Sequence, residues 1–183
     1  MPVVEKSEIM SASEIDRSVQ RLAHEIVETS GGTKDLALIG IRRRGVPLAS
    51  RIARAIRETE KADVPVGTLD ITLYRDDLSK IASQPVLHSS EIPFGVDDKD
   101  LVLVDDVLYT GRTVRAAMNG LFDLGRPKRV SLCVLIDRGH REMPIEAQFT
   151  GRVVQTSNSE IIEVRLREID NEERVVLVDR VER

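Results

Sequence analysis

At 183 residues the chain is long enough to fill one core and too short for two ordinary domains. Hydrophobic residues make up 41% and charged residues 32%, which excludes disorder for the bulk of the chain. The net charge of -4, the 3% of aromatics and the lone Cys133 exclude a generally basic nucleic-acid coat, a platform of stacked rings and an internal disulfide.

Met1 to Ile9 has no apolar core of a leader, and the apolar runs Leu36–Ile39 and Leu132–Ile136 are too short to cross a bilayer. A cytoplasmic protein with no membrane partner is expected. The first predicted element is a helix from about Glu14 to Ser30. Ile15, Val19, Leu22, Ala23, Ile26 and Val27 recur on one face, Ser13 is placed at the N-cap, and Gly31-Gly32 ends the helix. Leu36 to Ile41 is a continuous apolar run of strand length, as in a strand buried on both faces. The charged turn Arg42-Arg43-Arg44-Gly45 follows, and then a helix opened by Pro47 with Leu48, Ile52 and Ile56 on its apolar face.

Val64 to Tyr74 reads as a long strand, and Arg75 to Lys99 as a loop of the length used for lids. Leu101 to Val104 is a third buried strand, followed at once by Asp105-Asp106. A helix spans Thr113 to Leu124, and Val130 to Ile136 is a fourth buried strand. Short strands near Arg152–Gln155, Ile161–Leu166 and Arg174–Val178 are expected to form an accessory hood, from about residue 150 onward, or an edge. Apolar strands alternating with amphipathic helices predict an α/β fold with a central parallel sheet flanked by helices, one domain over residues 1–183.

Ligands of open parallel sheets bind beyond the carboxyl ends of the strands. The strongest signal lies at one such end: Leu101-Val102-Leu103-Val104-Asp105-Asp106-Val107-Leu108-Tyr109-Thr110-Gly111-Arg112-Thr113. A strand delivers two carboxylates, and a loop with one glycine and two threonines opens a helix whose N-terminus suits a phosphate. Phosphate beside carboxylates points to a sugar phosphate. Asp-Asp or Thr-Gly alone is ordinary turn chemistry; the thirteen residues together are not.

This constellation resembles the phosphoribosyl-pyrophosphate signature of type I phosphoribosyltransferases, and so implies their fold. The stretches Asp70–Leu78, Val107–Arg115 and Asp137–Glu142, with Gly40–Gly45 and Thr156-Ser157, are similar to the bacterial pyrimidine operon regulators of that family. The similarity runs from about Ile15 to Val178. It implies conversion of uracil and phosphoribosyl pyrophosphate to UMP and pyrophosphate, with Mg²⁺ bound alongside the substrate. It also implies UMP-dependent binding of a pyr messenger RNA stem-loop, and a homodimer or higher homo-oligomer.

By the same resemblance Asp105 and Asp106 meet the ribose hydroxyls and the metal's waters, with Arg75 in the catalytic lid. Tyr109 to Thr113 hold the 5′-phosphate, and Arg43, Arg44 and Arg138 the pyrophosphate. Arg21, His24, Arg138 and Arg141 correspond to RNA contacts. Arg17, Arg21, His24 and Glu28 share one polar helix stripe, expected to join Arg138, Arg141 and Arg152 in a basic concavity across a dimer. Two positions depart from the pattern: Gln20 stands where RNA-binding members carry Thr, and Glu146 where they carry Arg. Three readings stay open: a uracil phosphoribosyltransferase, an RNA-binding regulator that keeps the site as a nucleotide sensor, and a salvage enzyme for another base. Cys133, inside an apolar strand, is read as a small buried hydrophobe. His140 is either an anion contact or a solvated loop residue.

Overall fold

The structure, a computed structural model, describes residues 3–72 and 90–181. In chain order its elements are β1 (Val3–Met10), α1 (Ala12–Ser30), β2 (Leu36–Ile41), α2 (Gly45–Glu60), β3 (Val66–Leu69) and β4 (Asp100–Leu108). Then come α3 (Arg112–Phe122), β5 (Arg129–Asp137), β6 (Phe149–Val153), β7 (Glu160–Arg165), α4 (Arg167–Asp170) and β8 (Arg174–Arg180). Among the described residues no helix is long and apolar enough to cross a membrane.

The central sheet has the order β3-β2-β4-β5-β6, with every pair parallel. All six residues of β2 are buried because helices cover both faces. Alternate side chains divide between two cores. Leu36, Leu38, Val102 and Val104 pack with α1 and α2, whereas Ala37, Ile39, Leu101 and Leu103 pack with Val114, Ala117 and Leu121 of α3. The chain leaves β2 through α2 toward β3 and leaves β4 through α3 toward β5. The strand order therefore reverses between β2 and β4, and a crevice opens beyond their carboxyl ends.

Several predicted boundaries move, each for a local reason. Ser11, not Ser13, caps α1: its Oγ accepts from Glu14 N at 3.3 Å, and the Glu14 carboxylate accepts from Ser11 N at 3.4 Å. Helix α2 begins at Gly45, so Pro47 sits inside its first turn rather than opening it. The strand expected over Val64–Tyr74 is only four residues long. Asp70 ends it by accepting from both the backbone N–H and the hydroxyl of Thr72, at 2.9 and 2.6 Å. Strand β4 runs on through both acids, because β5 pairs with it as far as Leu108↔Asp137.

The hood is a second sheet, β1-β8-β7. Its first strand comes from the N-terminus, where no strand was expected, and pairs antiparallel with β8. Strand β6, placed with the hood by its position after residue 150, instead extends the central sheet at its edge beside β5. Tyr74 and Arg75, with residues 73–89 of the expected lid, lie outside the described residues.

Candidate active site

The turn after β2 and the end of β4 face each other because two glycines let them. A Cβ on Gly40 would meet the Gly45 carbonyl oxygen at 2.6 Å, and one on Gly45 would press into the Val104 carbonyl oxygen. The Arg42–Arg43 peptide between these glycines is cis. The result is a cleft of about 590 Å³. Arg42, Arg43 and Arg44 line one wall, Asp105, Asp106 and Thr113 another, and Asp70 and Thr72 a third.

Asp105 is 7% exposed, and its Oδ1 accepts from Asp106 N at 2.9 Å. Burial pushes its carboxyl well above the ordinary value of 3.8, and the adjacent Asp106 charge pushes the same way. Asp106 is half-buried, with Oδ1 accepting from Val107 N at 2.8 Å. Gly111 takes the left-handed conformation at the N-cap of α3, and Thr110 Oγ1 accepts from Arg112 N at 3.3 Å. The first turn of α3 thus aims its spare N–H groups at the loop between the acids and the helix. Among the described residues no group of three or more His, Cys, Asp or Glu forms a cage for a metal. Two carboxylates at a polar rim suit a hydrated Mg²⁺ that draws further ligands from a polyphosphate.

An anion between Arg43 and the α3 N-terminus, with hydroxyl-bearing carbon above two carboxylates, is the load this cleft can carry. The phosphoribosyl transferase domain family matches residues 6–169. The chain belongs to the phosphoribosyltransferase family. Within it, the chain is 59% identical to the "Bifunctional protein PyrR" of Pelotomaculum thermopropionicum over 178 residues, 97% of this chain and 98% of that one. It is 58% identical to the protein of that name from Thermus thermophilus over 175 residues, 96% of this chain and 97% of that one. Among solved structures, a Bacillus anthracis hypoxanthine-guanine phosphoribosyltransferase superposes with a TM-score of 0.72 at 18% identity, covering 97% of this chain and 99% of its own. The Trypanosoma cruzi hypoxanthine phosphoribosyltransferase gives 0.73 at 16%, covering 97% and 98%. At that identity they share the fold.

In this phosphoribosyltransferase the expected site residues divide. Asp105, Asp106, Thr113, Arg43 and Arg44 meet in the cleft. Leu101 to Val104 are buried strand residues that position the acids without lining it. Arg43 is exposed and makes no side-chain hydrogen bond among the described residues. Arg44 is instead engaged by Asp170, Nη2 to Oδ1 at 2.7 Å.

Arg138 does not join them. It is 5% exposed and donates to Glu160 O at 2.7 Å, Ser157 O at 3.4 Å and Thr156 Oγ1 at 3.3 Å. Its Nε and Nη2 are bonded to the hood, which sets it apart from the arginines that line the cleft. Arg141 is similarly occupied, with Nη1 on Tyr109 O at 2.8 Å, Nη2 on Asp137 Oδ2 at 2.6 Å and Nε on Ile145 O at 2.9 Å. It braces the phosphate loop from behind. His140 is an exposed loop residue whose Nε2 lies 2.6 Å from Thr156 O, so it also touches the hood. Cys133 is fully buried, and burial pushes its thiol up to about 12, as expected of an inert core residue.

On α1, Arg17, Arg21 and His24 are all exposed, and Arg21 also donates to Gly151 O at 2.6 Å and pairs with Glu25 at 2.8 Å. Arg152 donates to Glu14 at 2.6 Å. These residues lie on the α1 face of the sheet, whereas Glu146 lines a groove with Val114 and Met118 on the α3 face. The sequence reading missed Asp170 and the bracing role of Arg141. Asp170 acts on Arg44, 126 residues away, and the bond that ties Arg141 to the phosphate loop reaches Tyr109, 32 residues away.

Proposed function

We propose that the protein is a uracil phosphoribosyltransferase that also serves as a UMP-dependent, RNA-binding regulator of pyrimidine operon expression. The observation that carries the transferase reading is the cleft itself, where the two acids near the carboxyl end of β4 face three arginines following β2. Uracil N1 attacks C1′ of phosphoribosyl pyrophosphate, the C1′–O bond to pyrophosphate breaks, and the N1 proton leaves to solvent or to a cleft carboxylate. UMP and pyrophosphate result.

The transition state carries oxocarbenium character at C1′, so the protein's task is positioning and charge placement. Asp105 and Asp106 orient the ribose hydroxyls. The loop Tyr109–Thr113 and the α3 N-terminus hold the 5′-phosphate, and Arg43 and Arg44 face the departing pyrophosphate. When bound, Mg²⁺ neutralises pyrophosphate charge, held through the waters of Asp105 and Asp106. Arg75, at the head of the lid, is assigned to closure over the reacting centre. A homo-oligomer is the expected assembly.

The test is a spectrophotometric panel of bases with phosphoribosyl pyrophosphate and Mg²⁺. Uracil is expected to turn over and hypoxanthine, guanine and orotate are not. Equal turnover of any of those three would favour salvage of another base.

A further inference from the structure

Two arginines on one face of α2 grip the turn that joins β7 to β8. Arg44 and Arg51 are seven residues apart, two helical turns, and so share that face. Arg51 pairs with Glu168 at 2.6 Å and also with Glu173, well away from the cleft. Arg44 meets Asp170 side-on, Nε to Oδ2 at 3.2 Å and Nη2 to Oδ1 at 2.7 Å. Asp170 is itself fixed, because its Oδ2 also accepts from Leu166 N at 2.9 Å. Arg44 alone of the two arginines lines the cleft beside Asp106.

A free arginine samples many rotamers, and only some of them would put its donors where a leaving anion develops charge. A bidentate carboxylate selects one. With Nε and Nη2 held, Nη1 has no hydrogen bond among the described residues and keeps its two N–H groups for a ligand. A carboxylate in this place has two possible effects. It either orders the arginine for the anion or competes with the anion for it. The side-on grip, the separate anchoring of Asp170 by Leu166 N and the spare Nη1 favour ordering.

We propose that Asp170 is a positioning residue for the pyrophosphate end of the cleft, holding Arg44 at the rim in the orientation that meets the leaving group. The inference rests on the transferase reading and adds a hood residue to it. Asp170 touches no reacting atom. It also ties the segment between β7 and β8 to the arginine turn after β2.

Titration calorimetry with phosphoribosyl pyrophosphate plus Mg²⁺, and separately with UMP, would test this on wild type, Asp170→Asn, Asp170→Glu and Glu168→Gln, alongside thermal midpoints and steady-state rates. Asp170→Asn is expected to weaken phosphoribosyl pyrophosphate about tenfold and UMP less than twofold, because UMP leaves the Arg44 end empty. KM for phosphoribosyl pyrophosphate should rise more than kcat falls, and Asp170→Glu should recover part of the loss. Glu168→Gln loosens the same α2–α4 contact without touching Arg44, so it should lower the midpoint and leave the ligand ratio unchanged. Arg44→Lys, which leaves the hood intact, should reproduce the selective loss even where Asp170→Asn folds poorly. Unchanged or tighter phosphoribosyl pyrophosphate binding by Asp170→Asn, or an equal loss for UMP, would overturn the positioning role. Wild type that binds no phosphoribosyl pyrophosphate would overturn the transferase reading, and this inference with it.

Discussion

The Arg138 guanidinium carbon lies 4.0 Å from the centroid of the Tyr109 ring, with the His140 ring meeting the same tyrosine edge-on at 5.8 Å. One side of this stack is the phosphate loop; the other is bonded to the hood through Glu160, Ser157 and Thr156. The contact is a seam between the two parts of the molecule. Arg138→Ala removes three hydrogen bonds and a cation–π contact and leaves a void where a 5% exposed side chain was packed. The expected cost is about 2–4 kcal/mol of stability. Pyrophosphate affinity of the folded fraction should change less than threefold. Denaturant unfolding and pyrophosphate titration of the same preparation check both, and a selective loss of pyrophosphate affinity would restore Arg138 to the cleft.

Asp105 sits in the sheet against its own preference for water. Its folded pKa is raised above the unfolded value, so the folded state holds a proton that the unfolded chain has released. Stability therefore falls as pH rises from about 3.8 through the raised folded value, and stays lower above it. Asp105→Asn keeps an oxygen to accept from Asp106 N and removes the charge. It is expected to raise the melting temperature by several degrees at neutral pH and to flatten its fall with pH. Turnover should drop by about 10²–10³-fold. Thermal unfolding from pH 4 to pH 8 with parallel rate assays measures both. A variant less stable than wild type at neutral pH would mean that the carboxylate is stabilised in the fold.

Much of this site was legible in the chain because its signals are local. Buried parallel strands read as apolar runs, so Leu36–Ile41 has the same bounds in sequence and structure. The acids at Asp105-Asp106 and the loop through Thr113 are contiguous, and one strand end carries them to the cleft. What stayed hidden depends on partners far along the chain. The N-terminal strand acquires its reason from β8, some 170 residues away, and its run of exposed residues resembles a solvated tail. Arg138 and Arg141 look like solvated cations until Glu160, Thr156 and Tyr109 fold around them. A guanidinium in sequence has no address, and here two of the expected anion ligands, Arg138 and Arg141, bond loop and hood atoms of the chain itself.

The two glycines flanking the arginine turn are the ones whose crowding acts on the cleft. A Cβ at Gly45 collides with the Val104 backbone and approaches the Asp105 Cα at 3.2 Å, which forces α2 away from β4. Gly45→Ala should cost about 1–3 kcal/mol and widen the cleft, lowering kcat/KM more than the folded fraction. Gly139→Ala is the comparison. Its φ of 74° strains an alanine, but nothing lies within 4 Å of the new carbon, so only about 1–2 kcal/mol of backbone strain is expected. Rates and melting curves of the two variants separate crowding at the cleft from backbone strain elsewhere.

RNA binding is where this chain departs from the regulators it resembles, and the structure sharpens the question. Arg17, Arg21 and His24 are exposed on α1, and Arg21 also bonds Gly151 O and Glu25. Glu146 is exposed on the opposite side of the central sheet. A stem-loop lying on the α1 stripe of one chain is expected to meet Glu146 of a second chain. A carboxylate facing a phosphate in that arrangement replaces an attraction with a repulsion, a loss of about 1–3 kcal/mol. Glu146→Arg is therefore expected to tighten binding of a pyr leader stem-loop about tenfold at low salt in the presence of UMP, and to steepen the salt dependence. The complex should contain two or more chains per RNA. Arg17→Ala and His24→Ala should each weaken binding without lowering the melting temperature, whereas Arg21→Ala lowers both because it also releases β6. Gel-shift titrations at two salt concentrations, with the mass of the complex measured by light scattering, provide the readout. Affinity unchanged by Glu146→Arg, with the α1 variants still defective, would confine the RNA to the α1 face of the sheet.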